Sequence, residues 1–293
     1  MHNRRGILKG TSASLFAAAF TGTPVHASII PKVSDEFRIQ TRRRVEKRGR
    51  VIVDAGRQLW KASETAIIVC DMWQEHPCKL AQYRADRMAG RMNEVVSWAR
   101  DHGVAIVHAP SGGMDHYEGT SYRQRMQQAQ YHKPPVPIQG WCYHNSEYEG
   151  KWPIVDDVRL AEGAVTGCDD PLPRAHKDHD RHQNEQIKIV GYDGISDDGQ
   201  EIFNFIEQEG RKNIVLMGVH TNMCILGRPF GIRQQRYLRK NVVLCRDLTD
   251  ALYDPRDPPH VSHAQGLQLV IHHIEQFWCP SILGGDLMTA VTS

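Results

Sequence analysis

Outside its N-terminal stretch the chain has no run approaching the ~18 apolar residues of a membrane-crossing helix, so no membrane span is expected in its body. It also lacks a marked charge of either sign. The formal net charge is +2, and losing Arg4, Arg5 and Lys9 with a leader of residues 1–27 takes it to −1. Such a balance gives no electrostatic case for nucleic acid or an anionic membrane surface as partner. No C-x-x-C or H-E-x-x-H arrangement is present, although Cys142, His144, Cys168, Asp169, His176, His179 and His182 crowd one segment, so neither a metal nor another cofactor is expected. What is there suits a globular protein, with 40% hydrophobic and 24% charged residues and a mean hydropathy of −0.50. Its 293 residues fit one large domain with appendages.

The first appendage is residues 1–27. Arg4-Arg5 ahead of a mildly apolar run to Phe20, with a small-residue exit at Val25-His26-Ala27, reads as a twin-arginine export signal and places the mature protein in the periplasm or outside the cell. A basic leader without that role is the alternative. Seven cysteines are an odd number for an oxidising compartment, so at least one is unpaired within the chain, and Cys224 is the candidate. The second appendage, residues 28–64, alternates apolar and polar residues on both sides of Gly49. It predicts a hairpin with one face on the body and its arginines outward.

From Thr65 onward, 65–293, strands and helices alternate. Ala66–Cys70 is an apolar run ending at Asp71, and Met88, Met92, Val95, Val96 and Ala99 form a helical stripe that Gly103 stops. Val104–Val107 is a second strand and Ile187–Val190 a third. Asp197 or Asp198 caps a helix, Ile214–Met217 and Val242–Cys245 are further strands, and Ser262 with Gln265 opens a last helix. The segment 131–186 interrupts this rhythm as a long insertion suited to a lid, a binding loop or an oligomer contact. The alternation implies a mostly parallel, doubly wound α/β sheet with its ligand at the carboxyl ends of the strands.

The stretch Ile214 to Gly227 carries the chemistry. A short buried strand, a turn at Gly218, and Thr221 and Asn222 as helix caps put Cys224 in a first helical turn, where a thiolate is favoured. An inert buried cysteine fits the same position. Gly218-Val219-His220-Thr221-Asn222-Met223-Cys224 resembles the strand-turn-cysteine signature of the isochorismatase-like cysteine hydrolases, relatives of the nicotinamidases and N-carbamoyl amidases, and Ala66 to Gln74 resembles that family's first strand with its aspartate.

The resemblance implies a Rossmann-like three-layer α/β/α sandwich, a small-molecule substrate and a homo-oligomer. It makes Cys224 the nucleophile and Asp71 the acid/base in cleaving a small amide or related C–N bond through a thioester. It also implies an oxyanion site from the N–H groups of His220 and Cys224, with a cis peptide between Val219 and His220. The family's third member is a lysine after the third strand, for which Lys188 is the nearest candidate; a strand lysine reaching solvent is the other reading. Trp73, His76 and His108 are expected near the pocket with Thr221 and Asn222, and His108, His116 or His220 can stand in for the lysine. A relative that kept the fold and only binds a small molecule is the alternative to the hydrolase.

Overall fold

The computed structural model describes residues 29–30, 35–155, 167–171 and 179–291; the leader lies outside them. A mostly parallel sheet runs through the middle of the molecule. Its centre is β6 (Asn213–Val219), with β3 (Thr65–Cys70) and then β4 (Ala105–Ala109) on one side and β7 (Asn241–Asp250) on the other, all parallel. β4 is followed by the two-residue β5 (Gly194–Ile195), and β7 by β8 (Ser281–Ile282). Every residue of β3, β4 and β6 is buried. Ala66, Ile68, Cys70, Ile214 and Leu216 face one hydrophobic cluster, and Ile67, Val69, Val215 and Met217 the other. Covering both faces explains why these strands are continuous apolar runs, each large side chain contributing roughly 1.5–3 kcal/mol by leaving water.

Helix α1 (Lys79–Asp101) covers one face with Ala85, Ala89, Met92, Val95, Val96 and Ala99. The other face is covered by α4 (Gly199–Gln208), α5 (Cys224–Gly227), α6 (Ile232–Tyr237) and α7 (His263–Phe277). The result is a three-layer α/β/α sandwich. Local signals hold at the helix starts: Asp198 caps α4 through Glu201 N–H, and Ser262 and Gln265 form a reciprocal capping box on α7. Shorter helices α2 (Ser121–Gln127) and α3 (Ser146–Glu149) lie in the loops beyond β4.

Two expectations need correction. Ile187–Val190 is not a strand: Lys188 N–H bonds to Asn93 Oδ1 and Val190 N–H to Asp193 Oδ2, so side chains satisfy the backbone where a ladder was expected. The N-terminal hairpin, β1 (Glu36–Lys47) and β2 (Arg50–Lys61), turns at Arg48-Gly49 as expected, but it extends the main sheet. β1 pairs antiparallel with β8 and with β9 (Ala290–Val291), leaving β2 as the edge. Phe37 and Ile39 are buried, and Arg42 and Arg44 do not point outward; both pair with the buried Glu275 of α7.

The insertion is fastened over the carboxyl edge of the sheet. Cys142 N–H bonds to Gly227 O, Cys168 forms a disulfide with Cys78, and the Asp170 carboxylate accepts the first N–H groups of α1, from Lys79 and Leu80. Residues 180–184 run alongside 72–75, with Gln74 N–H on His182 O and Asn184 N–H on Met72 O.

Candidate active site

β6 and β3 end side by side, and the site grows from that junction. Gly218, at φ +111°, passes so close to β3 that a Cβ would stand 2.0 Å from Cys70 O, so no larger residue fits this turn. The Val219–His220 peptide is cis. Thr221 and Asn222 are not helix caps as expected; they tie the turn to the end of β7 instead. Thr221 Oγ1 meets Thr249 Oγ1 at 2.7 Å, and the Asn222 side-chain amide pairs with both the N–H and the carbonyl of Leu252. α5 then runs only from Cys224 to Gly227, as Pro229 dictates, and α6 starts afresh.

The Asp71 carboxylate lies at the end of β3, 1% exposed. Its Oδ1 accepts Ser111 N–H at 2.8 Å and its Oδ2 accepts Arg228 Nε–H at 3.1 Å. The Cys224 sulfur lies close to the same carboxylate, whose charge acts on it. Burial first, then the negative charge of Asp71, pushes the Cys224 pKa well up, against the lowering effect of Arg228. The expected resting thiolate is therefore replaced by a thiol: a helix of four residues supplies little dipole, and the negative charge of Asp71 outweighs the positive charge of Arg228.

Lys188 is not brought to this site. Its side chain is exposed and its Nζ bonds to Glu185 O. The cation beside Asp71 is Arg228, four residues after Cys224 and one helical turn away, with its guanidinium 5.6 Å from the Trp141 ring centre. Burial alone would lower its pKa, but the charges of Asp71, Cys224 and Cys70 raise it. The i, i+4 spacing from the cysteine was the available sequence signal, masked by the Pro229 break. His108 is also elsewhere: fully buried in β4, it meets Asp193 at 3.1 Å, and Asp193 is gripped by both ends of the Arg100 fork.

His220 and His76 do join the site wall. His76 Nδ1 faces both Cys78 N–H at 3.0 Å and Cys78 O at 3.2 Å, and its Nε2 shares a hydrogen bond with His220 Nε2 at 3.0 Å. Trp73 stacks on His76 with ring centres 5.9 Å apart. Burial lowers the His76 pKa to about 4, and burial with the neighbouring His76 lowers that of His220 to about 3. Below an ordinary value near 6.5 the unfolded chain takes up protons that the folded pair refuses. Their stabilisation is therefore complete above about pH 6.5 and is lost as the pH falls toward 4 and 3. In a pH series of thermal melts, His220→Gln is expected to flatten the wild-type decline between about pH 6.5 and 4; a parallel decline would rule the pair out as its source.

The insertion closes the site from above. Trp141 lies against Gly227, where a Cβ would stand 2.5 Å from the indole. Two side-chain groups have metal-like spacing among the described residues, and neither includes His76, His108, His116 or His220. In one, Cys78 and Cys168 are spent on their disulfide. In the other, His144, Glu149 and His273, the carboxylate already accepts from Arg233, His273, Trp278 and Asn145 N–H. A cavity of about 180 Å³ lined by Arg100, Gly103, Ile106 and Asp193 lies at the opposite, amino-terminal edge of the sheet.

No family model matches the chain, and no curated protein does. Among solved structures it is similar to a cysteine hydrolase from Pseudomonas syringae pv. phaseolicola 1448A, at 15% identity and a TM-score of 0.47 over 78% of this chain and 92% of that one. It is also similar to an isochorismatase-like hydrolase from Alkaliphilus metalliredigens (11%, TM-score 0.42, 78% and 98%) and an isochorismatase family protein from Burkholderia thailandensis (11%, TM-score 0.43, 77% and 96%).

Proposed function

We propose that the chain is an isochorismatase-like cysteine hydrolase that cleaves a small amide or related C–N bond, with Cys224, Asp71 and Arg228 as its working groups. The observation that carries this reading is one buried carboxylate placed between a thiol and a guanidinium: Asp71 acts on the Cys224 sulfur and pairs with Arg228 at 3.1 Å. As the Cys224 sulfur attacks the carbonyl carbon, its proton passes to Asp71, and the negative charge moves to the carbonyl oxygen. The N–H groups of His220 and Cys224 are the donors for that oxyanion; Cys224 N–H has no main-chain acceptor among the described residues. Collapse breaks the C–N bond, Asp71 returns the proton to the departing amine, and a thioester remains on Cys224. A water molecule then gives its proton to Asp71 while its oxygen attacks the thioester. The acid leaves and the thiol is restored.

Arg228 holds Asp71 in place and supplies fixed positive charge; it takes no part in proton transfer, because arginine stays charged. The role the family gives to a lysine is thus assigned to an arginine. Export through the twin-arginine leader and homo-oligomer formation belong to the proposal, and the Cys78–Cys168 disulfide supports an oxidising compartment.

The test is ammonia or amine release from a panel of small amides and ureas, with intact-mass detection of the acylated protein and Cys224→Ala as control. Turnover that disappears in the control, with an acyl adduct mapped to Cys224, is expected. The high thiol pKa favours a second reading, a binding protein that does not turn over. Ligands that shift the melting temperature without turnover or adduct would establish that reading instead.

A further inference from the structure

A second arginine with unspent donors stands beside the loop that follows β4. Arg181 lies with its guanidinium 5.5 Å from the centre of the Trp73 ring. Its Nη1 is 2.9 Å from the point where a Cβ on Gly112 would stand. Gly112 follows Ser111, whose N–H holds Asp71, so this cation sits over the loop that fixes the acid/base. Neighbouring carboxylates are committed elsewhere. Asp197 accepts Gly112 N–H, Glu75 accepts Asp180 N–H, and Asp180 pairs with His182. Among the described residues the Arg181 guanidinium has no protein acceptor, and neither do the Nη groups of Arg228, which uses Nε on Asp71.

A second observation points the same way. Among the described residues, Gln183, 3% exposed, has no partner for either end of its side-chain amide, and the buried Trp73 Nε1 and Ser111 Oγ have none either. Buried polar groups are ordinarily satisfied, and unsatisfied ones gathered beside unspent guanidinium groups mark a place built for a polar ligand. The adjoining bases, His76 and His220, are kept neutral by burial and offer no competing charge. Unspent fork donors on Arg181 and Arg228 match the two oxygens of a planar anion.

We propose that the substrate carries a carboxylate beside its scissile amide, and that Arg181 and Arg228 receive it. This rests on Cys224 being the nucleophile. The test compares alkylation of Cys224 by iodoacetate and by iodoacetamide, which share a leaving group and reacting carbon but differ in charge. Each rate is divided by that of 2-mercaptoethanol under the same conditions, and the site is mapped by peptide mass. A normalised preference for iodoacetate of about tenfold or more is expected, because charge-assisted hydrogen bonds are of that size. The preference is expected to fall severalfold in Arg181→Gln and less in Arg181→Lys. A ratio near one, or one indifferent to Arg181→Gln, would overturn the carboxylate while leaving the nucleophile standing. Inertness toward both reagents would overturn the nucleophile and this proposal together.

Discussion

Asparagine in place of Asp71 is expected to speed the alkylation of Cys224 by iodoacetamide near neutral pH while lowering amide turnover by about a thousandfold. The two effects part because Asp71 acts on the thiol in opposite ways. At rest its charge, after burial itself, holds the proton on sulfur, while Arg228 pulls the other way. Removing the carboxylate leaves the guanidinium beside the sulfur, so the thiol pKa drops and more thiolate is present at a given pH. Amide cleavage needs more than thiolate, since the departing amine must collect a proton, and asparagine has none to return. Alkylation rates from pH 6 to 10, set beside turnover, check this. Alkylation that slows in step with turnover would mean that Asp71 does not govern the thiol, and the proposed division of labour would fail.

Loss of the Glu149 carboxylate is expected to have the largest effect on stability. Glu149 is fully buried in α3, yet Arg233 of α6, His273 of α7, Trp278 and Asn145 N–H all donate to it. Burial by itself would raise its pKa, but the donors from His273, Arg233, Asn145 and Trp278 outweigh that and bring it to about 2. Glu149→Ala strands the buried Arg233 charge and is expected to cost about 3–5 kcal/mol in chemical denaturation. Glu149→Met combined with Arg233→Met is expected to recover much of that loss, because a matched apolar pair leaves no orphan charge. A double variant no better than Glu149→Ala would show that packing, not the unpaired charge, sets the cost.

How much of this was legible in the sequence differs from element to element. Asp71 at the end of β3 and Cys224 beyond β6 could be read because a buried apolar run followed by a polar residue has few other readings. The caps at Asp198 and Ser262 were local and held. Ile187–Val190 misled because only Ile187 of its apolar residues is buried, while Val190 is exposed and the backbone is satisfied by Asn93 and Asp193, distant in sequence. Lys188 failed with that strand. The pairing of Cys78 with Cys168 was beyond reach, since seven cysteines leave too many partners. The thiol's protonation was misjudged because it depends on how deeply the sulfur and Asp71 are buried together, which local spacing does not state.

Arg228 changes how the site is assembled. A cation offered from the far side of the sheet would have to be aligned with the sulfur through three separately placed chain segments. Here sulfur and guanidinium leave the same short stretch, Cys224 to Arg228, and Pro229 ends it. Their relative placement is fixed by local covalent geometry, so a shift of this turn carries both toward or away from Asp71 as one piece. The β4–β5 border is thereby released from any duty of precision, which is where the sheet dwindles to two residues and its backbone is held by borrowed side chains.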